Sequence, residues 1–84
     1  MYEIHVGGVA RRDLDRLPNH VFDRIAPHVN ALAENPRPRG CRKMEGSLRD
    51  WRLRIGDYRI IYEIDDDARR VIVLRVKHRR EAYR

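Results

Sequence analysis

Eighty-four residues suffice for one domain with a modest core and leave no room for a second. Nineteen Lys+Arg against thirteen Asp+Glu give a formal net charge of +6, which favours an acidic partner: nucleic acid, an acidic protein or an anionic membrane. Cys41 is the only cysteine, which excludes an intrachain disulfide, and neither a secretory start nor a run of membrane-spanning length is present, so a soluble cytoplasmic protein with no membrane partner is expected.

Tyr2 to Val6 alternates and reads as a short strand, closed by Gly7-Gly8. Ala10 to Leu17 predicts a short helix stopped by Pro18. Val21, Phe22, Ile25, Ala26, Val29, Leu32 and Ala33 recur at helical spacing and predict a second, amphipathic helix ending near Glu34, with a kink at Pro27, which has no N–H to donate. Asn35-Pro36-Arg37-Pro38-Arg39-Gly40 is a connector within the domain. Arg42 to Glu45 is a candidate for a brief strand, whereas Trp51 to Ile55, Tyr58 to Ile64 and Arg70 to Lys77 read as strands from their alternation and β-branched content. The order β-α-α-β-β-β-β predicts one α+β domain over residues 1–84: a twisted, mostly antiparallel sheet with both helices packed on one face.

The charge is unevenly spread. Residues 1–34 hold four Arg and five acids (net −1), and residues 35–84 hold fifteen Lys+Arg and eight acids (net +7), so the partner is expected to meet the second half. There, Gly56-Asp57 between two strands suits a two-residue type II′ hairpin, which sets the register. Ile55 then faces Tyr58, Arg54 faces Arg59, Leu53 faces Ile60, Arg52 faces Ile61 and Trp51 faces Tyr62. One face carries Trp51, Leu53, Ile55, Tyr58, Ile60 and Tyr62 as the core side; the other carries Arg52, Arg54 and Arg59. Like charges opposed across strands cost roughly 0.2–1 kcal/mol, a cost that an anion held between the guanidiniums would remove. A five-residue loop, Asp65 to Arg69, would put Ile72, Leu74 and Val76 on the core face and Arg75 beside Arg59, completing an exposed patch of four arginines. The competing explanation is a solvated face whose arginine stems cover Ile61 and Val73.

The chain closes with Lys77-His78-Arg79-Arg80-Glu81-Ala82-Tyr83-Arg84, a basic tail leaving the sheet beside that patch, with His78 as a titratable group and Tyr83 as a ring or phenol. His5, His20 and His28 are scattered and read as surface or structural. No metal-ligand spacing and no glycine-rich phosphate loop occur, so no cofactor is expected.

These segments together resemble the RelE/ParE superfamily of toxins from type II toxin–antitoxin systems, and in particular its RelE-like, RNA-cleaving branch. The resemblance spans the chain: the short first strand, the paired helices, the Asn35-Pro36-Arg37-Pro38 connector, Gly46-Ser47-Leu48-Arg49-Asp50 leading into Trp51-Arg52-Leu53-Arg54, then Gly56-Asp57-Tyr58-Arg59-Ile60-Ile61-Tyr62 and the closing basic segment. It implies an endoribonuclease that cleaves messenger RNA, typically in the ribosomal decoding site, by attack of a ribose 2′-hydroxyl on its own 3′-phosphate. It also implies a cognate antitoxin, expected to be acidic and to cover the arginines. The family's basic active-site positions fall on Arg52, Arg54, Arg59 and Arg79, and its C-terminal tyrosine on Tyr83. Arg75, Lys77 and His78 are the accompanying candidates for RNA binding. Some members carry lysine where this chain has Arg52 and Arg54. Arginine stays protonated and is a poor base, which assigns Arg52, Arg54 and Arg59 to phosphate positioning and charge stabilisation, Arg79 to the leaving-group side and Tyr83 to stacking or proton transfer, with His78 as the fallback base. Two other activities share these features: a ParE-like toxin that acts on DNA gyrase without cutting RNA, and an RNA-binding module without catalysis.

Overall fold

The computed structural model describes residues 1–82. Strand β1 (Glu3–Val6) is followed by helices α1 (Gly8–Asp15) and α2 (Asn19–Ala31), strands β2 (Cys41–Lys43), β3 (Asp50–Ile55), β4 (Tyr58–Asp65) and β5 (Arg70–His78), and a last turn of helix, α3 (Arg79–Ala82). The five strands form one sheet in the order β1-β5-β4-β3-β2, antiparallel except for the outer β1–β5 pair. The expected α+β architecture is thus present, with β1 as its single parallel member.

Both long helices start two residues earlier than periodicity predicts. The Gly7 carbonyl accepts from Arg11 N–H, and the Pro18 carbonyl accepts from Val21 and Phe22 N–H, so the first turn of α1 takes in Gly8 and Val9 and that of α2 takes in Asn19 and His20. The helix continues through Pro27. It then tightens to three-residue spacing, with the N–H groups of Leu32, Ala33 and Glu34 donating to Val29, Asn30 and Ala31 at 3.2 Å, before the connector begins.

The core joins one face of the sheet to the helices. Ala10, Ile25, Val29 and Leu32 pack against Leu53, Ile55, Ile60, Tyr62, Ile64, Val71, Val73 and Val76. Tyr62 is wholly buried and its hydroxyl donates to the Pro36 carbonyl at 2.7 Å, tying the connector over the sheet; burial pushes its phenol well above the usual tyrosine range. Arg37 continues the tether: it donates to both oxygens of Asp66 at 3.2 and 2.8 Å and lies 4.9 Å from the Trp51 ring centroid. Hydrogen bonds from Arg37, then from Tyr2, hold the Asp66 carboxyl at about 2.

The β3–β4 hairpin has the expected register at every pair from Ile55–Tyr58 to Trp51–Tyr62. Gly56 has φ +58° and Asp57 no positive φ, the pattern that a glycine-first turn requires. The β4–β5 hairpin differs in two ways. Asp65 pairs with Arg70, so the loop has four residues, 66–69, with Arg69 at φ +53°, and this single-residue change exchanges the two faces of β5. Val71 and Val73, not Ile72 and Leu74, therefore point into the core. A bulge then skips Leu74, so that Tyr62 pairs with Val73 but Ile61 with Arg75, and the alternation returns to the expected phase in time for Val76. Val73 accordingly has no place under the arginine stems.

Candidate functional site

On the side of the sheet away from the helices, the register stacks cations in two ladder rows. The first, next to the Gly56-Asp57 turn, sets Arg54 opposite Arg59 and Arg59 opposite Lys77. The second, two residues further along β3, sets Arg42 opposite Arg52 and Arg52 opposite Ile61. Arg42, Arg52, Arg54 and Arg59 line one open depression of about 550 Å³, together with Gly40 and Gly56, and among the described residues no carboxylate lines it. One step further along the ladder the face changes sign: Asp50 sits opposite Glu63, with Arg49 only 3.3 Å from Asp65.

Local chemistry holds these cations in place. Arg54 Nε donates to the Gly56 carbonyl at 3.2 Å, which pins its guanidinium at the hairpin tip. Arg59 was expected to be exposed, but it is 9% exposed and is the one buried charged side chain among the described residues. Burial fixes its guanidinium and lowers the local dielectric, so an anion brought alongside interacts more strongly than with a solvated arginine. Gly56 keeps the rim low. The glycine is required by its positive φ; a β-carbon there would lie 2.9 Å from Arg24 Nη2, the mobile end of an arginine that α2 sends over the turn and that could move aside.

The expected site residues divide. Arg52, Arg54 and Arg59 converge on the depression. Lys77 takes the position opposite Arg59 that the five-residue loop had reserved for Arg75. Arg75 is a correction: it sits opposite Ile61, and its Nε and Nη2 donate to Asp13 Oδ2 and Oδ1 at 2.9 and 3.2 Å. Asp13 also accepts from Val76 N–H at 3.0 Å, so it closes the edge of β5 where β1 has already ended. Desolvation works to raise the Asp13 carboxyl, but the Arg75 and Val76 hydrogen bonds outweigh it and the group sits below its ordinary value. Arg75 is therefore committed to the fold.

His78 is placed elsewhere too. It pairs with Tyr58, a residue of the helix side, and the two rings meet edge to face with centroids 5.2 Å apart. Its Nδ1 accepts from Arg80 N–H at 3.3 Å. It lines the helix-side hollow with Asp13, Arg16 and Arg75 and also the concavity at the turn with Asp57 and Arg79, but not the depression of Arg52, Arg54 and Arg59. Arg79 begins α3 beside the hairpin tip: its N–H donates to the Asp57 carbonyl at 2.6 Å and its guanidinium lies 3.8 Å from the Asp57 carboxylate. It borders a neighbouring concavity of about 510 Å³ with Asp57, His78 and Arg80, adjoining the arginine depression at the turn. Tyr83 lies outside the described residues.

Sequence reasoning missed Arg42. It follows Cys41, whose β3 partner is Leu53, so alternation puts Arg42 on the cationic face only once β2 is paired with β3, a pairing no turn announces.

Comparison with known proteins bears on the whole chain. A family model described as the ParE toxin of the type II toxin-antitoxin system parDE matches residues 4–83. Toxin RelG of Mycobacterium tuberculosis is 32% identical over 84 residues, covering 99% of this chain and 97% of that one. In three dimensions the toxin-antitoxin complex RelBE2 from Mycobacterium tuberculosis matches with a TM-score of 0.82 at 31% identity, covering 93% of this chain and 98% of that one. The archaeal RelE-RelB complex from Pyrococcus horikoshii matches with a TM-score of 0.82 at 28% identity, over 93% and 94%. Agreement in sequence and in fold runs through nearly the whole chain: it belongs to the RelE/ParE superfamily and is a toxin of a type II toxin–antitoxin system.

Proposed function

We propose that the toxin is an endoribonuclease that cuts messenger RNA, acting with the ribosome. The observation that carries this reading is the depression in which Arg52, Arg54 and Arg59 converge, with no carboxylate among the described residues that line it. Such a surface suits the phosphodiester of a single strand: cationic forks for the non-bridging oxygens, and a floor wide enough for a backbone and too open to enclose a small metabolite.

The reaction forms a bond between the ribose 2′-oxygen and the adjacent phosphorus and breaks the bond from phosphorus to the 5′-oxygen of the next nucleotide, leaving a 2′,3′-cyclic phosphate and a 5′-hydroxyl. The 2′-hydroxyl loses a proton and the leaving oxygen gains one. Arg54 and Arg59, opposed at the hairpin tip, neutralise the extra charge on the pentacoordinate phosphorus, and the fixed, buried position of Arg59 means that little reorganisation is needed as that charge develops. Arg52 positions the strand. Arg79, held at the turn through Asp57, faces the leaving group. Arginine remains protonated, so proton transfer falls to Tyr83, to His78, which shares the Arg79 concavity, or to the ribosome. A cognate antitoxin of acidic character would silence the toxin by covering the same cations.

The test is induction of the toxin in a bacterial host, with 5′-ends mapped on messenger RNA and plasmid supercoiling followed in parallel. New 5′-hydroxyl ends within coding regions, lost in Arg54→Ala, are expected. Changed supercoiling with intact messages would instead assign the protein a gyrase-directed activity, the alternative that the ParE family model keeps in view.

A further inference from the structure

We infer that Arg42 and Arg52 form a second phosphate subsite, so that the RNA strand crosses the sheet from β4 over β3 to the edge strand β2. This rests on the RNA-directed reading above and adds to it a direction and a residue. Three observations support it. Arg42 stands directly opposite Arg52, and both line the same depression as Arg54 and Arg59. A second like-charged cross-strand pair beside the first repeats a cost of roughly 0.2–1 kcal/mol that a single bound phosphate would not relieve at both places. Arg52 and Arg54 are two residues apart on one strand, so the two cationic pairs are offset by about 7 Å at strand rise, comparable with the separation of successive phosphates in an extended single strand.

The surroundings restrict the path. Continuing along the ladder past Arg52, the strand would meet Asp50 opposite Glu63, which repel a phosphate. Toward β5 the first row continues to Lys77, which does not line the depression, while in the second row Ile61 intervenes and beyond it Arg75 is engaged by Asp13. The depression itself continues over Arg42, at the edge of the sheet, where Gly40 adds no side chain to its wall. The nucleotide next to the cleaved bond is therefore held through its phosphate by Arg42 and Arg52, each guanidinium offering paired donors to its oxygens.

The inference is tested with a labelled single-stranded oligonucleotide carrying 2′-O-methyl ribose throughout, which binds but cannot be cut, titrated over a range of salt. Arg42→Gln is expected to reduce the slope of log affinity against log salt by about 0.7, the contribution of one neutralised phosphate on a single strand, while Arg42→Lys retains it. Replacing phosphates singly by neutral methylphosphonates should identify one linkage whose neutralisation weakens the wild type but not Arg42→Gln. Arg42 is exposed on an edge strand, so an unchanged urea midpoint is expected to confirm that the variant is folded. A wild-type slope in Arg42→Gln, with a reduced slope in Arg54→Ala, overturns the second subsite and leaves the RNA-directed reading intact. Wild-type slopes in both variants overturn the two together.

Discussion

Arg75→Ala discriminates between folding and binding, because the structure sets this residue opposite Ile61 and pairs it with Asp13 at the core's edge. Its Nε and Nη2 donate to Asp13 at 2.9 and 3.2 Å, and Asp13 holds Val76 N–H at 3.0 Å. Truncation leaves the Asp13 carboxylate, whose side chain is 10% exposed, with one donor in place of three. Removing one partner of a fully buried pair costs about 3–5 kcal/mol, and exposed pairs are worth about 0–1. Arg75 is 38% exposed, so solvent screens its end of the pair and the expected loss is intermediate, about 1–3 kcal/mol. Urea denaturation followed by circular dichroism at pH 7 measures that loss. The same variant, titrated with the uncleavable oligonucleotide, should keep the wild-type salt slope. The opposite result, unchanged stability with a slope reduced by about 0.7, would return Arg75 to the phosphate-binding face and refute the bulged register of β5.

Arg54→Ala should leave stability unchanged or slightly raised, since it relieves a like-charge pair worth roughly 0.2–1 kcal/mol, while abolishing message cleavage in the 5′-end assay. Acid should destabilise the fold between about pH 4 and pH 2: the depressed Asp66 carboxyl contributes stability that is complete above its ordinary value of 3.8 and is lost as pH falls through its folded value of about 2, with Asp13 acting in the same sense. Asp66→Asn should flatten that acid limb in denaturation measured at stepped pH, and a limb of unchanged steepness would deny the Arg37–Asp66 tether its role. Tyr62→Phe should cost about 1–3 kcal/mol by leaving the Pro36 carbonyl without its buried donor, and a neutral effect in the urea midpoint would show water replacing it. Deleting residues 79–84 should leave a cooperatively folded domain that binds RNA and cuts it poorly, because among the described residues the core ends at Val76; full cleavage by the truncated toxin in the presence of ribosomes would remove Arg79 and Tyr83 from the chemistry.

The sequence alone determined the β3–β4 hairpin, the opposition of Arg54 to Arg59 and the resemblance to a toxin superfamily, because a two-residue glycine-first turn leaves one register and a period of two then places every side chain. It also determined the order of the strands and the two longer helices, though not the last turn α3, and the apolar stripe of α2 apart from Phe22, which is exposed. Three matters were decided only by the tertiary structure. The four-residue turn with Arg69 at positive φ, followed by a bulge at Leu74, set the faces of β5, and both are departures from alternation that alternation cannot announce. Asp13 and Arg75, sixty-two residues apart, met because β1 ends before β5 and leaves an edge N–H to be satisfied. Arg42 joined the site because a strand of three residues, too short to show a period, takes its register from β3 through a long loop and not from a turn. Local chemistry is legible where a turn transmits it to the neighbouring strand; where closure between distant segments sets the register, the side chains find their faces only when the sheet is assembled.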